Sequence, residues 1–207
     1  NVLKNAGFPE RILILGPNLR FAYTHKDCST IKKNVKSPNI LLLLTFDNNL
    51  AYDLIHKVKI ISRDFPELFV YIRRHPLYSW QFNELEEFLD EIKMRNYKFA
   101  DNGTIQDWLA DTDIVFSTGG TIVIIESVIK GIPLIRVEPD NDFFLDPLAW
   151  TNYPIKVVNS LDGIRNTINS ILNMEKEEKS KFQTIGENIF VNYFSEPNEN
   201  NMKVFND

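Results

Sequence analysis

From residue 39 to residue 137 the chain alternates short, wholly apolar runs with longer segments whose apolar residues recur every three or four positions. In Asn39-Ile-Leu-Leu-Leu-Leu-Thr-Phe46, nothing polar interrupts Ile40 to Leu44. A strand with one wet face would alternate, so this run predicts a strand covered on both sides. Leu50, Leu54, Ile55, Val58 and Ile61 then recur at helical spacing, with Asn48 placed to cap the helix and Pro66 to close the unit. Leu68 to Ile72 is a further strand, ending in Arg73-Arg74-His75-Pro76.

The rhythm repeats downstream. Phe82, Leu85, Leu89 and Ile92 share one face of a helix running to Met94; Tyr97 to Ala100 is a short strand and Thr104 to Leu109 a short helix. Asp113 to Ser117 is a strand, Gly119-Gly120 opens a helix to Lys130, and Gly131 suits its C-cap. Ile132 to Val137 and Pro154 to Val158 are strands, followed by helices from Ser160 to Leu172 and from Glu175 to about Phe194. Upstream, Arg11 to Gly16 is a short strand and Thr24 to Ser37 a loop. The pattern predicts an α/β fold: a doubly wound, mostly parallel, Rossmann-like sheet with helices on both faces. The 207 residues suffice for one such domain, with a polar tail over 195–207.

Composition removes several function classes. Cys28 is the sole cysteine, which excludes an intramolecular disulfide framework and a cysteine-clustered zinc site. The formal net charge of -5 argues against a general nucleic-acid binder. No apolar run approaches the roughly 20 residues of a membrane span, and no signal-like segment opens the sequence. The expected location is the cytoplasm. Glycines number only eight in 207, so each more often sits where the backbone needs it.

In an open α/β sheet, ligands bind beyond the carboxyl ends of the strands. Three loops there carry chemistry. Ser117-Thr118-Gly119-Gly120-Thr121 joins a strand to a helix: two glycines let the backbone approach a ligand, the helix offers free amides, and three hydroxyls add neutral donors. This suits a phosphate or diphosphate, although Gly-Gly also serves as a plain tight turn. Glu126 lies in the apolar helix that follows. Burying a lone carboxylate costs several kcal/mol, so it needs a partner. A ribose diol would serve, as would Lys130 at i+4 on an exposed face.

His75 leaves its strand toward the same crevice, where imidazole can donate to a phosphate or move a proton. Arg73 and Arg74 can pair with a phosphate or remain solvated at a surface turn. In Phe46-Asp47-Asn48-Asn49 a helix cap is the simpler reading. Asp111 and Asp113 have Asp-x-Asp spacing but precede their strand, so they read as a cap and a turn; no metal is expected.

Together these residues resemble the carboxyl-terminal, nucleotide-binding domain of a GT-B glycosyltransferase. The likeness is carried by Ile105 to Val137, chiefly Ala110-Asp-Thr-Asp-Ile-Val-Phe-Ser-Thr-Gly-Gly-Thr and Glu126-Ser-Val-Ile-Lys-Gly-Ile-Pro133. The resemblance implies that Gly119, Gly120 and Thr121 face the diphosphate, with Ser117 and Thr118 beside them, and Glu126 the ribose. Phe99-Ala-Asp-Asn-Gly103, with Asn102, occupies the place where such enzymes hold the base. Arg74-His75-Pro76 resembles the His-Pro motif of bacterial surface-polysaccharide transferases, in which the histidine binds the nucleotide phosphate; His75 would stabilise the leaving group. Glu138, Asp140 and Asp142 are candidates for a second acidic residue, and Asp142 to Leu145 for donor-sugar contacts.

Ala6 to Gly16 resembles the hinge between the two domains of such enzymes, with residues 1–16 a hinge-like start, and Asn192 to Pro197 their tail. The implied substrate is a UDP- or CMP-linked sugar, with no further cofactor. The implied partner is an absent amino-terminal acceptor domain or subunit, the chain beginning at Asn1 being expected as a truncation. The implied setting is surface polysaccharide or lipopolysaccharide synthesis at the inner face of a bacterial membrane, to which the full protein would bind peripherally. UDP-sugar 2-epimerases share the same loop. A non-catalytic binding module of this fold is the other alternative.

Overall fold

A computed structural model describes residues 38–76, 82–118, 121–138, 151 and 153–194. In chain order the elements are β1 (Asn39–Leu43), α1 (Asn48–Ile61), β2 (Phe69–Arg73), α2 (Phe82–Glu91), β3 (Tyr97–Phe99), α3 (Ile105–Ala110), β4 (Ile114–Ser117), α4 (Ile122–Ile129), β5 (Leu134–Val137), β6 (Lys156–Val158), α5 (Leu161–Leu172) and α6 (Lys176–Tyr193). The six strands form one sheet in the order β3-β2-β1-β4-β5-β6, and every pairing is parallel. This is the doubly wound α/β architecture that the alternation predicts. The expected strand at Arg11 to Gly16, the loop at Thr24 to Ser37, the hinge-like start, Cys28 and the tail lie outside the described residues.

Strand β1 explains its own composition. Ile40, Leu42 and Leu44 pack on one side with Leu54, Ile55 and Val58 of α1, Leu85 and Leu89 of α2, and Ile164 and Ile168 of α5. Leu41 and Leu43 pack on the other with Leu109 of α3, Ile124 and Val128 of α4, and Ile189 of α6. Each face buries a separate apolar cluster, so no position from Ile40 to Leu44 can be polar.

The N-cap of α1 is Asp47 rather than Asn48. Its backbone is extended, and its carboxylate accepts from the amides of Asn49 at 2.9 Å and Leu50 at 3.2 Å. Thr104 and Asp107 cap α3 reciprocally. Helix α4 ends at Lys130, where Gly131, at φ +68°, turns the chain: its amide reaches Val128 O and the Ile132 amide reaches Ser127 O. A Cβ on Gly131 would lie 2.5 Å from Gln183 Cα, and one on Gly186 only 2.2 Å from Val128 O. These two glycines let α6 cross α4 at backbone contact, and so fix the helix that begins at the crevice. Among the described residues no helix is long and apolar enough to cross a membrane.

Candidate functional site

The order of strands reverses between β1 and β4. Loops leaving these neighbours go to opposite faces, α1 to one cluster and α4 to the other, which opens a crevice beyond their carboxyl ends. Ser117 ends β4 with 0% exposure and Thr118 follows at 5%. The Oγ of Ser117 and the Oγ1 of Thr118 are both buried without a hydrogen-bond partner. Gly119 and Gly120 lie outside the described residues. Thr121 then takes the N-cap position of α4 in extended conformation, its side chain making no cap bond, and no acid stands in the first turn. The first amides of α4 thus receive no side-chain acceptor from their cap, unlike those of α1, capped by the Asp47 carboxylate, and of α3, capped by the Thr104 hydroxyl.

Glu126 sits in the second turn of α4 and is 1% exposed. Its neighbours Ile125, Ser127, Val128 and Ile129 are also buried. An exposed-face pair with Lys130 therefore does not describe it. The carboxylate lies on the helix that the crevice opens onto, at a depth where charge is costly.

Register places a row of side chains across the sheet's carboxyl edge. Leu43 of β1 is partnered by Arg73 of β2 and Ser117 of β4, and Ser117 by Arg136 of β5. Partners in a parallel sheet leave on the same face, here the face covered by α4. Arg136 pairs with Glu138 at 2.7 Å, which gives the first of the three candidate acids a local partner. Asp140, Asp142 and the stretch to Leu145 lie outside the described residues.

At the end of β2, Arg73, Arg74, His75 and Pro76 line a cavity of about 320 Å³ together with Asp101. Arg74, expected as a phosphate ligand, is engaged by Asp101: Nε donates to Oδ2 at 2.7 Å and the backbone amide to Oδ1 at 3.3 Å. Arg73 donates to the Ala100 carbonyl. His75 stands edge-on to Phe46, ring centroids 5.8 Å apart, so it faces the loop that follows β1. Asn102 is exposed, and its carbonyl accepts from the Trp108 indole.

The structure thus gathers Ser117, Thr118 and Thr121 at the β4–α4 junction, with Glu126 one turn deeper. His75 and Arg74 lie two strands away, and Asn102 belongs to the neighbouring loop. Two residues of this edge escaped the sequence reading. Phe46 is 63% exposed despite following an apolar strand. Asp101 lies 27 residues from its partner Arg74, and only its place in the Phe99–Gly103 stretch hinted at it. Asp111 is the C-cap of α3, the cap role expected of it, whereas the carboxylate of Asp113, expected at a turn, accepts from the Asn39 amide of β1 at 2.8 Å, 74 residues earlier. Among the described residues no group of three or more His, Cys, Asp or Glu side chains could hold a metal ion.

No protein-family model and no curated protein matches the sequence. Solved structures do match the fold. The GtfA/B complex aligns at TM-score 0.56 and 13% identity over 76% of this chain and 34% of its own. TarM aligns at 0.56 and 15% over 85% and 36%. UDP-GlcNAc 2-epimerase from Neisseria meningitidis, bound to UDP-GlcNAc, aligns at 0.54 and 13% over 89% and 52%. The chain thus spans about a third of the transferase chains and half of the epimerase. Fold and edge together define a doubly wound α/β domain with a crevice at the strand-order reversal. More narrowly, the fold is that of the carboxyl-terminal domain of GT-B glycosyltransferases, which the 2-epimerase shares.

Proposed function

We propose that this chain is the donor-nucleotide-binding domain of a GT-B glycosyltransferase. The observation that carries this reading is the pair of buried, unpartnered hydroxyls of Ser117 and Thr118 beside the uncapped start of α4. Leaving buried polar groups unmade costs about 1–3 kcal/mol each. A phosphate seated at the helix start would accept from these hydroxyls and from the α4 amides, at the end of the helix whose dipole favours an anion. Glu126 would accept the hydroxyls of the ribose. His75, at the end of β2 on the far side of β1, would face the bound nucleotide.

In the transfer itself, the bond from the sugar's anomeric carbon to the phosphate oxygen breaks, and an acceptor oxygen bonds to that carbon. The α4 amides and the hydroxyls stabilise the negative charge gathering on the departing nucleotide. The acceptor and the base that takes its proton would belong to another domain or subunit. Assembly of a surface polysaccharide or lipopolysaccharide on the cytoplasmic side of a membrane is the process into which such a domain fits. Calorimetric titration with UDP, CMP and GDP tests the reading. One of them binds at 1:1, and Glu126→Gln weakens it about tenfold or more; if none binds, the reading is wrong.

A 2-epimerase is the second reading, favoured by the larger share of the chain that aligns with the epimerase. Release of UDP from UDP-N-acetylglucosamine without any added acceptor would select it.

A further inference from the structure

The carboxyl edge carries a second feature that the phosphate and ribose contacts do not use. Reading across it, Ser117–Thr121 follow β4, Phe46 follows β1, Arg73 to Pro76 end β2, and Asp101 follows β3. Neighbouring strands lie about 4.8 Å apart, so the β2 end sits about 10 Å from the β4 end. That is the reach from the phosphate of a nucleotide to the edge of its base. The exposed ring of Phe46, edge-on to His75, lies between the two.

The cavity at the β2 end presents a mixed edge. Asp101 is an acceptor fixed in place by two bonds from Arg74. A carboxylate offers about four acceptor positions, and these bonds use two. Guanidinium donors stand beside it in Arg73 and Arg74. An acceptor next to donors is the complement of a base edge that carries an amino group next to acceptors. Cytosine has that edge, with the N4 amino group beside N3 and O2. Uracil places a carbonyl oxygen where cytosine has the amino group, and that oxygen would face the Asp101 carboxylate. Aspartate accepting from cytosine N4 is an established pairing in base recognition.

We infer that the Arg73, Arg74 and Asp101 cavity reads the pyrimidine base and selects cytosine over uracil, so that the donor is a cytidine-linked sugar. The inference rests on the nucleotide-binding reading above and sharpens it. Asp101 is the specificity-determining residue, and Arg74 positions it.

The test is a calorimetric titration of the intact chain with CMP and with UMP, repeated on Asp101→Asn. CMP binds the unaltered chain about tenfold more tightly than UMP, and Asp101→Asn brings the two within about threefold by weakening CMP. A ligand-side measurement keeps the test independent of the variant's fold: the monophosphate of pyrimidin-2-one riboside, which lacks the amino group, binds about tenfold more weakly than CMP. Equal or tighter binding of UMP, or an unchanged ratio in Asp101→Asn, overturns the base assignment. If UMP binds as tightly as CMP and Glu126→Gln weakens both about tenfold, the nucleotide site stands and only the base assignment falls. If neither CMP nor UMP binds, the base assignment falls, and the nucleotide reading falls with it when UDP and GDP also fail to bind.

Discussion

Leu43 and Ser117 are register partners on β1 and β4, the two strands between which the order of the sheet reverses. The loop after Leu43 runs to a helix on one face and the loop after Ser117 to a helix on the other. That divergence makes room for a ligand beside Ser117 and leaves its hydroxyl buried without a protein partner.

Ser117→Ala and Thr118→Val separate a binding role from a structural one. Removing a buried hydroxyl that has no partner costs the fold nothing, and stability is expected to stay level or rise by up to about 1 kcal/mol. Nucleotide affinity is expected to fall several-fold. Thermal melting and titration of the same samples check both halves; a loss of stability without loss of affinity would refute the phosphate role.

Glu126→Gln keeps the volume of the side chain and removes the charge from a position 1% exposed. A ribose hydroxyl loses its charged acceptor, so affinity for nucleosides falls about tenfold. The melting temperature holds or rises, because an amide is cheaper to bury than a carboxylate. Inorganic pyrophosphate, which has no ribose, binds the variant and the unaltered chain equally.

The crossing of α4 and α6 sets a stability prediction at two glycines. Gly186→Ala drives a methyl to 2.2 Å from the Val128 carbonyl, and Gly131→Ala adds a clash with Gln183 to an unfavourable φ of +68°. Each costs about 2–3 kcal/mol in chemical denaturation. Gly103→Ala, whose new Cβ would meet the Asp107 carboxylate at 3.1 Å, is expected to cost less because that neighbour is a side chain at an exposed turn.

Tyr153 makes stability depend on alkaline pH. Its hydroxyl donates to the Ile132 carbonyl at 2.8 Å, and burial holds the phenol well above its ordinary value of 10.0. The folded state therefore keeps a proton that the unfolded state releases. The contribution is full below pH 10 and is lost progressively as the pH rises above it. Tyr153→Phe costs about 1 kcal/mol at neutral pH through the lost hydrogen bond, and flattens the decline above pH 10.

Much of the fold is legible in residue patterns. Five apolar residues in a row at Ile40 to Leu44 announce a strand buried on both faces, and both clusters claim it. Gly131 after Lys130 marks the end of α4. What the pattern leaves open has a physical reason in each case. Asp47 and Asn48 are both good caps, and only the backbone conformation chooses between them. Arg74 reads as a free cation until the sheet brings β3 beside β2 and sets Asp101 against it. The closeness of Ser117 to Leu43, 74 residues earlier, depends on strand order, which periodicity does not encode. Ser117, Thr118 and Glu126 stand out in the sequence because polar residues in an apolar segment need a reason; Asp101, in a polar loop, does not.

Backbone amide shifts on titrating nucleotide into isotopically labelled chain test the central proposal most directly. The amides from Ser117 to Val123, together with those near Glu126, move most and saturate together at one equivalent. Shifts that stay confined to the opposite edge of the sheet, or no saturable shifts with any nucleotide, would contradict a nucleotide site at the reversal between β1 and β4.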